Sequence, residues 1–146
     1  MKYLRLFSLA ALFAFVSLGV SAQKPGYTRY VITKTIDKNG NVNSSNGGAG
    51  YWIKFENNLI WLDMGFGSQS RYIYNSTRND GNKLYYLQAW NHGTMNQGSG
   101  WMTFYDSYLL VSADRTLINM KGNYGTSVLR IQTCLLYTSD AADDKA

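Results

Sequence analysis

From position 27 onward the chain is built of short runs in which apolar and polar side chains alternate, and nearly every run ends in turn residues. Tyr51, Ile53 and Phe55 alternate with Trp52, Lys54 and Glu56. That is the period-two pattern of a strand with one buried face. Similar signals mark 27–36, 59–64, 72–74, 83–90, 101–105, 108–112, 117–121 and 127–131. Within 83–90, Leu84, Tyr86 and Trp90 share one parity, as do Ser127, Leu129 and Ile131 in the last run. Between the runs lie Asp37-Lys38-Asn39-Gly40, Asn57-Asn58, Asn79-Asp80-Gly81-Asn82, Ala113-Asp114-Arg115 and 122–125, where Gly, Asn and Asp supply turn conformations. The Gly/Ser/Asn stretch to Gly50 and the polar stretch 91–100 read as longer loops. Short connections favour antiparallel neighbours. The prediction is therefore an all-β domain: an antiparallel meander of roughly nine short strands, forming a barrel or a two-sheet sandwich. A duplicated hairpin is hinted at by the likeness of 48–60 to 98–110, although ordinary hairpin grammar explains it equally well.

The first 22 residues follow another pattern. Lys2 and Arg5 precede an uncharged apolar run, 6–18, and Val20-Ser21-Ala22 places small residues before Gln23. This three-part layout predicts a signal-peptide helix cleaved after Ala22. The apolar run is shorter than the ~20 residues of a membrane span, so no stable membrane anchor is expected after cleavage. The organisation that follows is a signal peptide (1–22), a single β domain (23–133) and a tail (134–146). The domain is placed in the periplasm, outside the cell or on its surface. Cys134 is the only thiol, so the domain must be held by its core rather than by internal disulfides.

After Thr133 the Asn/Gly/Tyr texture gives way to an Ala/Asp-rich segment. This segment resembles a tail found on many unrelated open reading frames from environmental sequencing, where reading continued into adapter DNA. The alternative is an ordinary acidic terminus. Both ends are set aside in counting charge: Lys2, Arg5 and Lys145 from the 14 basic residues, and Asp140, Asp143 and Asp144 from the nine acidic ones. Segment 23–133 then keeps 11 against 6, a net +5. These basic residues are scattered singly, whereas nucleic-acid binding leaves a clustered patch, so no nucleic-acid partner is expected.

Chemistry-bearing constellations are weak. His92, Ser99 and Asp106 form a Ser-His-Asp set on paper only, since such a triad is defined by geometry. Glu56 and Asp63 flank a hairpin and are the candidate pair for glycosidase-type acid and base work, yet solvated strand ends explain them too. Asp37-x-Asn39-x-Asn41 opens like a calcium loop, but Val42 stands where the turn glycine belongs and Gly48 where the bidentate Glu belongs. Asn43-Ser44-Ser45 and Asn75-Ser76-Thr77 match the glycosylation triplet. No catalytic residue, metal site or cofactor is therefore assigned, and the domain is read as non-enzymatic.

The surplus lies in the aromatics, 15% of the chain. In consecutive pairs such as Tyr51-Trp52 and Tyr85-Tyr86 the two rings must point to opposite faces, leaving one partly exposed unless both faces are covered. Rings with polar tips suit the binding of sugars, peptides or protein surfaces. Trp52, Trp61, Tyr85, Trp90 and Trp101 are the candidate binding residues, and carbohydrate, peptide or a protein surface the candidate partners. Cross-strand pairing that merely stabilises the sheet is the competing explanation.

The signal segment, the Gln23 start, the Tyr-rich strands and 108–119 with its Ser112-Ala113-Asp114-Arg115 turn together resemble small exported all-β proteins of gut-dwelling Gram-negative bacteria. That group has no assigned activity, and the resemblance implies only location. Gly50-Tyr51-Trp52 and Arg130 carry a weaker likeness to lipocalins, in which a Gly-x-Trp opens the first barrel strand and a late Arg stacks on the Trp. That likeness implies a barrel carrying a small apolar ligand. Three readings result: a binding module using exposed aromatics, a lipocalin-like carrier, and a small hydrolase.

Overall fold

The computed structural model describes residues 24–45 and 48–132. The expected signal peptide and tail lie outside the described residues. Nine strands are present: β1 (Thr28–Asp37), β2 (Val42–Ser44), β3 (Gly50–Glu56), β4 (Leu59–Gly65), β5 (Ser68–Thr77), β6 (Lys83–Asn91), β7 (Gly100–Val111), β8 (Leu117–Gly122) and β9 (Gly125–Ile131). Every pairing is antiparallel and nearly all join sequence neighbours. β9 returns to β1 over Tyr30–Ile131 through Asp37–Gly125. The all-β meander is thus a closed barrel of eight strands, β1 and β3 to β9, rather than a sandwich.

The ninth strand, β2, sits on the same edge of β1 as β3 but further along: Lys34–Ile36 pair with β2, and Thr28–Val31 with β3. It occupies a stretch expected to be loop, because Asn and Ser carry no strand pattern of their own. The partner is what makes it a strand. The runs 101–105 and 108–112 prove to be one strand, β7. Between the pairs Tyr86–Tyr108 and Leu87–Phe104, residues Tyr105 to Ser107 bulge out, which accounts for the change of parity in sequence. The hinted duplication therefore has no structural counterpart, since 48–60 is a hairpin and 98–110 lies largely in one strand.

Further irregularities at Ile32/Lys34, Asp63/Gly65 and Tyr74/Ser76 bend β1, β4 and β5, as closing a small barrel requires. Gly50 is needed for its size, because a Cβ there would meet the Tyr30 carbonyl of the neighbouring strand β1. Inward-pointing residues fill the interior: Tyr30, Ile53, Ile60, Leu62, Leu109, Ile118 and Leu129 are each no more than 1% exposed. Outward positions include the exposed cations Lys34, Lys83, Lys121 and Arg130. An apolar interior within a charged exterior is the reverse of a transmembrane barrel.

Candidate binding site

The two ends of the barrel are built differently. At one end lie the β3–β4, β5–β6 and β7–β8 turns. The β7–β8 turn is held by Asp114, whose Oδ1 accepts from Ser112 Oγ at 2.8 Å, Thr116 Oγ1 at 2.7 Å and Thr116 N at 3.1 Å. These bonds, Thr116's hydroxyl foremost, hold the carboxyl below its ordinary pKa. Arg115 follows with a positive φ of 61°, and its guanidinium lies 4.4 Å over the Phe55 ring. Its carbonyl accepts the Tyr30 hydroxyl, and burial pushes that phenol up to about 12. Tyr74 packs edge-on against Tyr85, centroids 5.7 Å apart. Rings and a guanidinium close this end.

The other end is open. A cavity of about 450 Å³ enters the barrel between the β8–β9 turn, the end of β1 and the end of β4. Tyr51, Met64, Tyr72, Leu87 and Met120 line it, with Asp37, Ser107 and Tyr124 also on its wall. Beside it the β6–β7 hairpin runs on past the last β7–β8 pair, Tyr108–Lys121. The exposed large apolar side chains of the described residues belong to this half alone. Phe66 and Tyr124 stand in its turns, and Trp90, Met95, Trp101, Met102, Phe104 and Tyr105 on the projecting hairpin.

Four of the five candidate binding residues share the outer wall. Lys54, Trp61, Arg71, Gln88 and Thr103 form one cross-strand row over β3 to β7. In that row Arg71 Nε donates to Gln88 Oε1 at 3.0 Å, and Gln88 Nε2 to Thr103 Oγ1 at 3.1 Å. The Arg71 guanidinium lies 3.9 Å over Trp101 and 5.9 Å from the Trp61 ring. Trp90 and Trp101 meet edge-on at 5.3 Å, and they remain 46% and 42% exposed. Trp52 and Trp61 are half-buried. Tyr27 reaches across this side to Gln69, and Lys24 pairs with the buried Asp63.

Tyr85 stands apart. It is 4% exposed, opposite Leu109 and Tyr74 on the inward side, and Tyr86 is the outward member of that pair. A run of two tyrosines does not reveal which one faces the core; the pairing of β6 with its neighbours does.

Glu56 pairs with Leu59, and Asp63 with Trp52, so the two carboxylates are four positions apart along their hairpin, roughly 13 Å at ~3.3 Å per residue. Each has a cation, Lys54 on Glu56 at 3.0 Å and Lys24 on Asp63. His92 is exposed just beyond β6, and no hydrogen bond of the described residues joins it to Ser99 or Asp106. Asp37 is engaged by its own turn, accepting from Asn39 N and Asn41 N at 2.9 Å each. These bonds, Asn41's first, lower its pKa. The ring over which Arg130 was expected to stack, Trp52, has Arg29 beside it instead, 5.7 Å away on the outer face.

The reading of residue types alone missed Tyr51 and Tyr72 as cavity residues and Arg71 as the hub of the outer row. Nothing local marks them, because each gains its neighbours from other strands, in the case of Tyr51 from as far along the chain as Met120 and Ser127. The fold defines the class of protein: a closed, eight-stranded antiparallel barrel with one open end. Compared with family models, curated proteins and solved structures, the chain finds no match.

Proposed function

We propose that the protein is an exported, non-enzymatic binding module that engages its partner through the open end of the barrel and the projecting β6–β7 hairpin. One observation carries this reading: the exposed large apolar side chains among the described residues are all on that half of the molecule. Scattered exposed apolar residues are ordinary on a soluble domain; their concentration at one end is the mark of an interaction surface. Trp90 and Trp101 supply rings with an indole N–H each, Met95 and Met102 an adaptable apolar surface, and Arg71 a planar cation beside them. Carbohydrate, peptide and protein surfaces all suit such a set. The test is a backbone-amide NMR titration of the purified chain against panels of glycans, peptides and cell-envelope proteins. A genuine partner shifts residues 90–105, 66 and 124, and the pair Trp101→Ala/Phe104→Ser abolishes its binding. Shifts confined to 57–58, 78–82 and 112–116 would move the site to the closed end and defeat the proposal.

A second reading, a barrel enclosing a small apolar ligand, is favoured by the cavity itself, which is open at one end and stopped by packed rings below. Its volume falls within the ~300–1,000 Å³ of small-molecule sites. On this reading any likeness to lipocalins is one of topology, since the Trp–Arg stack is not reproduced.

A further inference from the structure

The cavity holds two phenols that the fold does not use. Tyr30, on the same inward face, spends its hydroxyl on the Arg115 carbonyl, and Tyr74 shares a 2.7 Å hydrogen bond with Thr77. Tyr51 and Tyr72 differ. Both line the cavity, and neither hydroxyl has a hydrogen-bond partner among the described residues. Tyr72 is only 6% exposed. Among the described residues no buried side-chain polar atom is sealed away without a partner, and the cavity is the opening that Tyr72 lines. Burial holds the Tyr72 phenol up at about 12, with Tyr51 adding to the rise; burial alone raises Tyr51. Both therefore stay protonated as donors at neutral pH. Two such donors facing the cavity beside Met64, Leu87 and Met120 have the form of a ligand site: apolar walls with a few convergent polar groups.

We propose that the open lumen binds a small, mainly apolar molecule carrying one neutral hydrogen-bond acceptor, a carbonyl oxygen above all, which the Tyr51 and Tyr72 hydroxyls hold. The acceptor is neutral because the deep wall offers no cation: Asp37 sits at the mouth, and Lys121 directs its ammonium outward to the Tyr108 ring, 5.5 Å away. Burying an unpaired carboxylate there would be costly. The inference rests on the enclosed-ligand reading and adds to it the chemistry of the ligand's polar end.

The test measures binding of a matched pair of probes, 2-acetylnaphthalene and 2-ethylnaphthalene, to the purified chain and to Tyr51→Phe, Tyr72→Phe and the double variant. The ketone binds the parent about tenfold more tightly than the hydrocarbon, the worth of one to two hydrogen bonds. In the double Phe variant the preference disappears while hydrocarbon affinity is kept. Because neither hydroxyl is bonded among the described residues, the Phe variants melt no lower than the parent, which separates lost recognition from lost structure. Equal binding of both probes by the parent overturns the phenol assignment and leaves an enclosed apolar site. Failure of both probes to bind overturns the assignment and the enclosed-ligand reading together. A Tyr72→Phe variant that melts well below the parent shows a protein partner for that hydroxyl and also overturns the inference.

Discussion

The closed and open ends of this barrel are made from the same strands, yet they spend their side chains in opposite ways. At the closed end Tyr30 bonds to Arg115, Arg115 covers Phe55, and Asp114 gathers three hydrogen bonds. At the open end the Tyr51 and Tyr72 hydroxyls have no hydrogen-bond partner among the described residues, while Phe66, Tyr124 and the β6–β7 hairpin present apolar surface to solvent. A protein stabilises itself where its polar groups are matched and its rings covered; it can bind where they are left over. The contrast teaches that matched and unmatched side chains are divided along the barrel axis.

The sharpest way to break that division is to truncate one apolar residue from each region. Leu109→Ala removes a side chain with no exposed surface, and the loss should be about 2–5 kcal/mol. Phe66→Ser, on the open rim, should stay within about 0.5 kcal/mol. Denaturant midpoints give both, and similar values for the two would mean that the rim is part of the core.

Next in size is Gly50→Ala. Its new Cβ would press on the Tyr30 carbonyl, a backbone contact that cannot swing aside, so a loss of about 1–3 kcal/mol is expected. If thermal unfolding is unchanged, the close approach of β1 to β3 at this point is wrong.

Alkali should act through buried phenols at both ends. Tyr30 and Tyr72 have folded-state values of about 12 against an ordinary 10. Between those limits the folded chain holds protons that the unfolded chain has released, so stability is complete below pH 10 and declines as pH rises toward 12. Tyrosinate absorbance followed with pH should show late-titrating phenols, and Tyr72→Phe should remove one of them. A single wave near pH 10 would contradict their burial.

The smallest effect belongs to acid. Asp114 is held below its ordinary value by the Thr116 and Ser112 bonds, so its contribution is present above that value and fades as pH falls through the lowered one. Asp114→Asn should flatten that part of the acid unfolding curve.

Much of this architecture was legible in the chain. Alternation from Tyr51 to Glu56 and the Asn57-Asn58 tip predict the β3–β4 hairpin, and Asn57 indeed takes a positive φ of 53°. Gly40 and Gly81 likewise fall in the turns expected of them. Such features are local: a side chain's face follows from its parity, and a turn from the φ its residues tolerate. Register is not local. Whether Tyr85 or Tyr86 faces inward, whether 101–112 is one strand or two, and whether Val42–Ser44 is strand at all depend on hydrogen bonds to partners distant in sequence. The return of β9 to β1 decides most of all. It turns an open meander into a barrel, sets the four tryptophans on the outer wall, and brings Tyr51 and Tyr72 to one lumen, because only closure specifies which residues of distant strands share an inside.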